Sequence, residues 1–391
     1  MAERLRLGVI GLGRAFTLML PTFASHPRIS LVAATDPRAD AVSRFAAEFG
    51  AAGYETAASL CNDPSVQAVY VASPHQFHVE HVALAAAAGK HVLVEKPMAL
   101  TLQECEQMIE ATAKSGVHLL VGHSHSYDLP YLHARTVIRS GRFGRLRMVN
   151  ALNFTDFLFR PRRPEELDTK AGGGVVFSQA AHQVDVVRLL ATSKAASIRA
   201  FVGRWDSSRP TEGAYNAQIE FEDGSFASLT YSGYAHFDSD EFMDWWGELG
   251  LRKQANSYGR TRRTLMSAKS AAEETELKNK RAYGPSGRDA FQLEGVSAHN
   301  HFGLIVASCD CADLRPTPSG VEVYADFERF TETLPAPTVP RAEVVDELCD
   351  AVLLGRPPLH SGEWGMATVE ACLGILTSAE HGCAIALRHQ V

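Results

Sequence analysis

No stretch of 18 apolar residues occurs without a charge in this 391-residue chain, so no segment is expected to cross a membrane as a helix. Internal repeats and low-complexity tracts are missing too, and an apolar fraction of 46% is too high for a disordered chain. Cysteine is sparse and unpatterned. The seven lie at 61, 105, 309, 311, 349, 372 and 383, an odd number, and a single residue separates Cys309 from Cys311 where a zinc or redox motif would have two. A disulfide framework is thereby excluded, and reduced thiols in a cytoplasmic setting are expected. Net positive charge is lacking: 38 Lys and Arg against 45 Asp and Glu leave −7, which argues against general nucleic-acid binding. Arg4 and Arg6 precede an apolar stretch as in an export leader, but Arg14 interrupts it, and a buried first strand accounts for it better.

What the chain does have is length, more than twice the common domain size of ~100–150 residues, so two domains are expected. Leu5 to Ile10, Ile29 to Thr35, Val66 to Ala72, His91 to Val94 and Val117 to Gly122 are near-continuous apolar runs rich in Val and Ile. Such runs suit parallel strands covered on both faces. Helix-like segments lie between them at Phe16 to Ser25, Ala39 to Phe49, His78 to Ala88 and Leu102 to Ser115, with Thr101 and Glu104 spaced as a capping box. The alternation predicts an α/β doubly wound parallel sheet over residues 1–125.

From about Arg145 the signals turn antiparallel. Asn216 to Phe221 and Ser225 to Ser232 flank Glu222-Asp223-Gly224 as a hairpin, Arg145 to Phe154, Ile198 to Arg204 and Gly320 to Tyr324 are strand candidates, and Val175 to Leu190 has helical spacing. An α+β domain with a large, mainly antiparallel open sheet is therefore expected over 126–391. Residues 252–281 carry nine Lys and Arg against three Glu, and a helix, a loop or a lid all fit that pattern. The tail from Pro340 to Ala386 reads as helical, broken at Gly355-Arg-Pro-Pro358, with Pro340 suited to a helix start.

The first strand runs into Gly11-Leu12-Gly13-Arg14-Ala15-Phe16. Gly11 and Gly13 hold the first two places of a dinucleotide fingerprint, one for the tight turn and one for approach of a pyrophosphate to a helix N-terminus; Phe16 departs from the Gly or Ala of the third. Asp36 closes the next strand, where a carboxylate accepts from the adenosine ribose and repels a 2′-phosphate, so NAD is expected over NADP, although the nearby Arg38 is of the type that receives that phosphate. Ser73-Pro74-His75 and Glu95-Lys96-Pro97 follow the third and fourth strands, the ends at which open α/β sheets bind ligands. His75, His78 and His81 are spaced at three, but no carboxylate or cysteine pattern completes a metal site.

Gly11-Leu-Gly13, Gly89-Lys-His-Val-Leu-Val-Glu-Lys-Pro97 and Gly172-Gly-Gly-Val-Val-Phe-Ser-Gln-Ala-Ala-His-Gln-Val-Asp185 together resemble the Gfo/Idh/MocA oxidoreductases, over nearly the whole chain. The resemblance implies a Rossmann domain, an α+β domain whose open sheet mediates a homodimer or homotetramer, and NAD as cofactor. It implies that Gly11, Leu12, Gly13, Arg14, Ala15, Asp36, Arg38, Ser73, Pro74, His78, Glu95 and Lys96 bind the cofactor. Lys96 would also orient the reacting hydroxyl and His182 would be the acid/base, with Asp185 as its orienter. An imidazole, with an ordinary pKa of ~6.5, suits base catalysis near neutrality better than an amine at ~10.4.

Two departures from the family pattern stand out: Ser178 replaces an Asp four residues before His182, and His123, Ser124, His125 and Ser126 replace a segment that commonly carries Arg. The cluster Arg160-Pro-Arg162-Arg163 suits a carboxylated ligand and equally a solvated loop paired with Glu165, Glu166 and Asp168. Within the family these segments are most similar to the phthalate 4,5-cis-dihydrodiol dehydrogenases, which implies oxidation of an aromatic dihydrodiol dicarboxylate, with His123, His125, Arg160, Arg162, Arg163, Ser178 and His182 around the substrate. A sugar or polyol dehydrogenase and a non-catalytic dinucleotide-binding regulator are the alternatives. No nucleic acid, membrane or metal partner is expected.

Overall fold

The computed structural model describes residues 4–122, 124–255, 257–284 and 298–391. The chain forms two compact units, and it does not divide between them at a single point. One comprises residues 1–123, 275–294 and 339–369; the other comprises 124–274, 295–338 and 370–391. No helix among the described residues is long and apolar enough to cross a membrane.

The first unit holds β1 (Leu5–Ile10), α1 (Arg14–Ser25), β2 (Ile29–Thr35), α2 (Ala39–Phe49), β3 (Ala52–Tyr54), α3 (Ala57–Cys61), β4 (Ala68–Val71), α4 (His78–Ala87), β5 (His91–Val94), α5 (Leu102–Ser115) and β6 (Leu119–Val121). The strands pair in parallel in the order β3-β2-β1-β4-β5-β6. All four β4 residues are buried, as continuous apolar runs require. The capping box forms as expected: Thr101 Oγ1 accepts from the Glu104 amide at 3.2 Å, and Glu104 Oε2 accepts from the Thr101 amide at 3.0 Å. β3 and α3 are additions that three- and five-residue segments are too short to announce by periodicity. The reversal of strand order between β1 and β4 opens a crevice at their carboxyl ends, where such sheets take their ligands.

Far along the chain, α10 (Ala342–Leu354) packs back on this unit through Arg28, which pairs with Asp346 at 2.9 Å and Asp350 at 2.6 Å. The helix starts two residues beyond Pro340, with Arg341 rather than the proline at its cap. Residues of α11 (Gly362–His381) up to Val369 also belong here, and β6 is continued by a hydrogen bond from Val121 to the His360 carbonyl.

The second unit is built on nine strands: β7 (Leu146–Phe154), β8 (Ala195–Gly203), β9 (Ala214–Phe221), β10 (Phe226–Ser232), β11 (Leu304–Cys309), β12 (Ala312–Thr317), β13 (Gly320–Ala325), β14 (Arg329–Thr333) and β15 (Ile385–Ala386). They lie in the order β14-β13-β12-β11-β7-β10-β9-β8-β15. Every pairing is antiparallel except β10 with β7. The hairpin β9–β10 turns at Asp223-Gly224 as expected. β11, β12, β14 and β15 escape the sequence pattern: Pro316 breaks the alternation of β12, β15 has two residues, and β14 alternates only half-buried and exposed positions. α6 (Leu129–Arg139) and α7 (Ala181–Leu190) cover the sheet, and all ten residues of α7 are buried. A single π-helical turn, Val176–Ala180, leads into α7.

Within 252–281 the chain forms α8 (Arg260–Met266) and α9 (Ala271–Asn279). α8 is tied down, with Arg262 stacked over Phe159 at 4.0 Å and donating to the carbonyls of Tyr234 and Ala235. Glu274 accepts from the Arg162 amide and from Arg209, each at 2.7 Å.

Candidate active site

The turn after β1 is shaped for close approach. Gly11 has φ +97°, and a Cβ there would lie 2.7 Å from the Ala72 carbonyl oxygen on the neighbouring strand end. A Cβ on Gly13 would meet nothing within 4 Å, and Gly13, the N-cap of α1, has no side chain to fill the helix end. A helix N-terminus that begins at a glycine and opens onto clear space at a strand end is the cradle a pyrophosphate needs. Asp36 is held facing it: Oδ2 accepts from the Leu12 amide at 2.7 Å, and Oδ1 from the Arg38 amide and Nε at 2.9 Å each. Arg38 also donates to the carbonyls of Leu12 and Tyr283 at 2.8 Å. Its fork is thus folded back on Asp36 and the backbone instead of being held out for a phosphate. Phe16 is buried against Phe45 and the edge of Tyr283, which gives the third fingerprint position a packing role.

At the other strand ends, Ser73 Oγ bonds His81 Nδ1 at 2.9 Å, Pro74 is exposed, and half-buried Lys96 begins a cis peptide to Pro97. Two residues expected beside the cofactor turn inward. His78 is fully buried, its nitrogens 3.0 Å from the Ser73 carbonyl and 3.1 Å from that of Met98, so it ties the loops after β4 and β5 together; burial pushes its pKa down. Glu95 is buried and accepts a short hydrogen bond from Tyr70 on β4, whose phenol burial and that carboxylate hold well above its ordinary range.

In the second unit, Gly172-Gly-Gly174 lets the chain enter α7 over a buried carboxylate. Gly174 has φ +83°, and a Cβ there would overlap Glu212. Glu212, fully buried, accepts from the Val176 amide at 3.1 Å and from Thr211 Oγ1 at 3.0 Å, and also from Thr169. This fixes the turn that carries Ser178, which is half-buried, and leads to His182. His182 and His125 are both buried, with ring centres 4.9 Å apart at 70°. Phe302 completes the cluster at 5.2 Å from His182 and 5.0 Å from His125, and Tyr231 stacks near-parallel to Phe302 at 6.2 Å. Tyr231 in turn shares hydrogen bonds with Thr155 at 2.7 Å and Gln179 at 3.2 Å.

Asp185 accepts from Ser126 Oγ and lies 3.7 Å from Arg188. Burial pushes the Arg188 guanidinium down to about 10 against the pull of Asp185 and Glu370. Asp185 thereby fastens the turn that carries His125 onto α7. His123 lies outside the described residues.

The arginine cluster is internally paired. Arg160 Nε is 3.0 Å from Asp156; although burial opposes its charge, Glu248 and Asp156 hold it above the ordinary range. Arg162 stacks on Phe157 at 3.7 Å, donates to the Phe157 carbonyl at 2.9 Å and lies 3.6 Å from Glu166, which also accepts from the Arg163 amide at 2.9 Å. Any ligand carboxylate reaching these groups competes with protein carboxylates. Asp128, Tyr231, Phe302, Glu212 and Glu248 carry no motif, and the sequence reading passes over them.

The chain matches two family models: the NAD-binding Rossmann-fold oxidoreductase domain over residues 5–123 and the GFO/IDH/MocA C-terminal domain over residues 131–251. The chain belongs to the Gfo/Idh/MocA oxidoreductases. It is an NAD-dependent oxidoreductase, and the residues around Gly11, Gly13 and Asp36 fit that cofactor. It is 48% identical over 374 residues to the 1-carboxy-3-chloro-3,4-dihydroxycyclohexa-1,5-diene dehydrogenase of Comamonas testosteroni, covering 95% of this chain and 94% of the relative. The myo-inositol 2-dehydrogenase of Thermotoga maritima is 31% identical over 48% of this chain and 54% of its own length. A solved Bordetella bronchiseptica structure is 41% identical, with a TM-score of 0.92 over 98% of this chain and 100% of that one. The aldose–aldose oxidoreductase of Caulobacter crescentus, 22% identical with a TM-score of 0.72 over 98% of this chain and 100% of that one, shares the Gfo/Idh/MocA fold.

Proposed function

We propose that the enzyme oxidises a carboxylated cis-dihydrodiol of a cyclohexadiene ring to the corresponding catechol, with the 4,5-cis-dihydrodiol of phthalate as its substrate. The observation that carries this reading is the 48% identity, over nearly the full length of both chains, to a dehydrogenase named for a carboxylated dihydroxycyclohexadiene. The two-imidazole cluster supports it, since oxidation of a ring hydroxyl needs a group to take its proton.

NAD, which Gly11, Gly13 and Asp36 would hold, would supply the acceptor for the hydride leaving the carbinol carbon, and the resulting ring ketone tautomerises to an aromatic catechol. His182 takes the hydroxyl proton, on a helix whose entry Glu212 holds. Lys96, at the end of β5, orients the nicotinamide ribose. Phe302 and Tyr231 provide apolar faces for a flat ring and exclude water. Of the arginines, Arg160 and Arg162 both act electrostatically on Tyr231, which makes them the groups to meet a ring carboxylate.

NADH absorbance with the phthalate dihydrodiol, a monocarboxylated cis-dihydrodiol, inositols and aldoses tests the reading. Turnover of the carboxylated diols is expected, with His182→Asn lowering kcat by about a hundredfold to ten-thousandfold. Turnover of a neutral sugar and of neither carboxylated diol would overturn it.

A further inference from the structure

The chemistry above leaves a second buried imidazole without a task. His125 Nδ1 is 2.6 Å from Asp128 Oδ2, both side chains are buried, and Asn300 Nδ2 donates to the other carboxylate oxygen at 3.4 Å. An ionised carboxylate only accepts, so the hydrogen of the neutral ring sits on Nδ1 and Nε2 keeps its lone pair. Nε2 makes no hydrogen bond to a described residue. The ring plane is held by Phe302 on one side and His182 on another, and the turn itself by the bond from Ser126 to Asp185 on α7. Beside it, Ser124 Oγ is buried with no hydrogen-bond partner among the described residues. A fixed, acceptor-bearing imidazole in contact with the proposed base is suited to hydrogen-bond the substrate itself.

We propose that His125 Nε2 accepts a hydrogen bond from a second substrate hydroxyl, the one adjacent to the carbon oxidised at His182, and that Asp128 is the positioning residue that fixes His125 in the required tautomer. This rests on the reading that the substrate is a vicinal cis-diol. The paired imidazoles then read two neighbouring hydroxyls on one ring face, one each. A substrate lacking the second hydroxyl leaves a nitrogen of this largely buried imidazole without that bond, which is how polar sites discriminate against deoxy analogues.

The test measures kcat/KM for the carboxylated cis-dihydrodiol and for its analogue lacking the hydroxyl that is not oxidised, in wild type, His125→Asn, His125→Gln, Asp128→Asn and Asp128→Glu. Two substitutions at each position guard against one that fails to fold. In wild type the diol is expected to be preferred by about tenfold to a hundredfold. Both His125 variants should lose most of that preference, mainly through the diol, with Asp128→Asn intermediate and Asp128→Glu closer to wild type. Equal losses on both substrates overturn the proposal, because a structural role cannot tell them apart. Loss of the acid limb of the kcat pH profile in His125→Asn but not in His182→Asn also overturns it, by making His125 the base. If wild type turns over the diol without preferring it, this proposal falls alone. If wild type turns over no cis-dihydrodiol, the substrate reading falls with it.

Discussion

The groups that shape the dinucleotide cradle of the six-stranded sheet stand within a few residues of a strand end, Tyr283 behind Phe16 and Arg38 excepted, whereas the imidazole cluster of the nine-stranded unit draws on Ser124 through Phe302. In a doubly wound parallel sheet the strand order alone places the binding crevice, so a glycine turn and one acidic residue suffice to furnish it. A mixed open sheet sets no such location. There the site is positioned by buried polar ties, Glu212 under the entry to α7 and Asp185 across to Ser126, which join segments far apart in the chain. The cofactor cradle is therefore locally built, and the proposed substrate site is a property of the packed unit.

The sharpest break of this comparison is at Asp36. Replacing it with Ala removes the acceptor for the Leu12 amide and for the ribose, and releases Arg38 from its pair. NAD affinity should weaken by about tenfold to a hundredfold while NADP binding tightens, with the unfolding midpoint nearly unchanged. Titration with both dinucleotides checks it; a loss of fold instead of a change of preference would mean the cofactor site is not local. The complementary substitution is Glu212→Ala. It strands the buried Val176 amide and should cost about 2–4 kcal/mol in urea unfolding and lower turnover, with NAD affinity largely kept.

The smallest effect concerns pH. Burial works against ionised Asp156, but the Arg160 charge and the Thr261 hydroxyl hold its pKa below the ordinary carboxylate value. A depressed folded pKa contributes stability above the unfolded value, ~3.9, and that contribution fades as pH falls through the folded one. Asp156→Asn should therefore destabilise by less than about 1 kcal/mol at neutral pH, because solvent still reaches a third of each side chain, 32% and 35%, and screens the pair. The gap to wild type should close below pH ~4, where the native carboxyl becomes neutral as well. Thermal unfolding from neutral to acid pH reads it, and a gap that widened in acid would reverse the sign assigned to this pair.

Much of the first unit was legible because its signals are short-range. Strand runs, the Thr101 capping box and the Gly11 turn each depend on neighbours within about one helical turn. His78 and Glu95 show the limit: their place after strand ends marks them as cofactor residues, yet their side chains rotate inward to Ser73, Met98 and Tyr70, and rotamer choice leaves no trace in spacing. In the second unit the hairpin at Gly224 and the helical spacing before Leu190 were readable. Asp128, Phe302 and Glu212 were not, since a single Asp, Phe or Glu is chemically ordinary until another segment folds against it. The Arg160 cluster is the converse case. Its sequence advertises a dianion site, and folding supplies Asp156, Glu166 and Glu248 as partners first.

The sequence by itself determined the alternation of strands and helices, the family, the NAD cradle and the identity of Lys96 and His182 as candidates, because apolar periodicity and glycine turns act through local sterics and hydration. Only the tertiary structure decided which polar groups come together at the proposed substrate site. It set His125 against His182 and Asp128 behind His125, folded Arg38 onto Asp36, and returned residues 339–369 to the first unit. Burial makes each of these polar contacts strong, and burial is a property of the whole packed chain rather than of any segment in it.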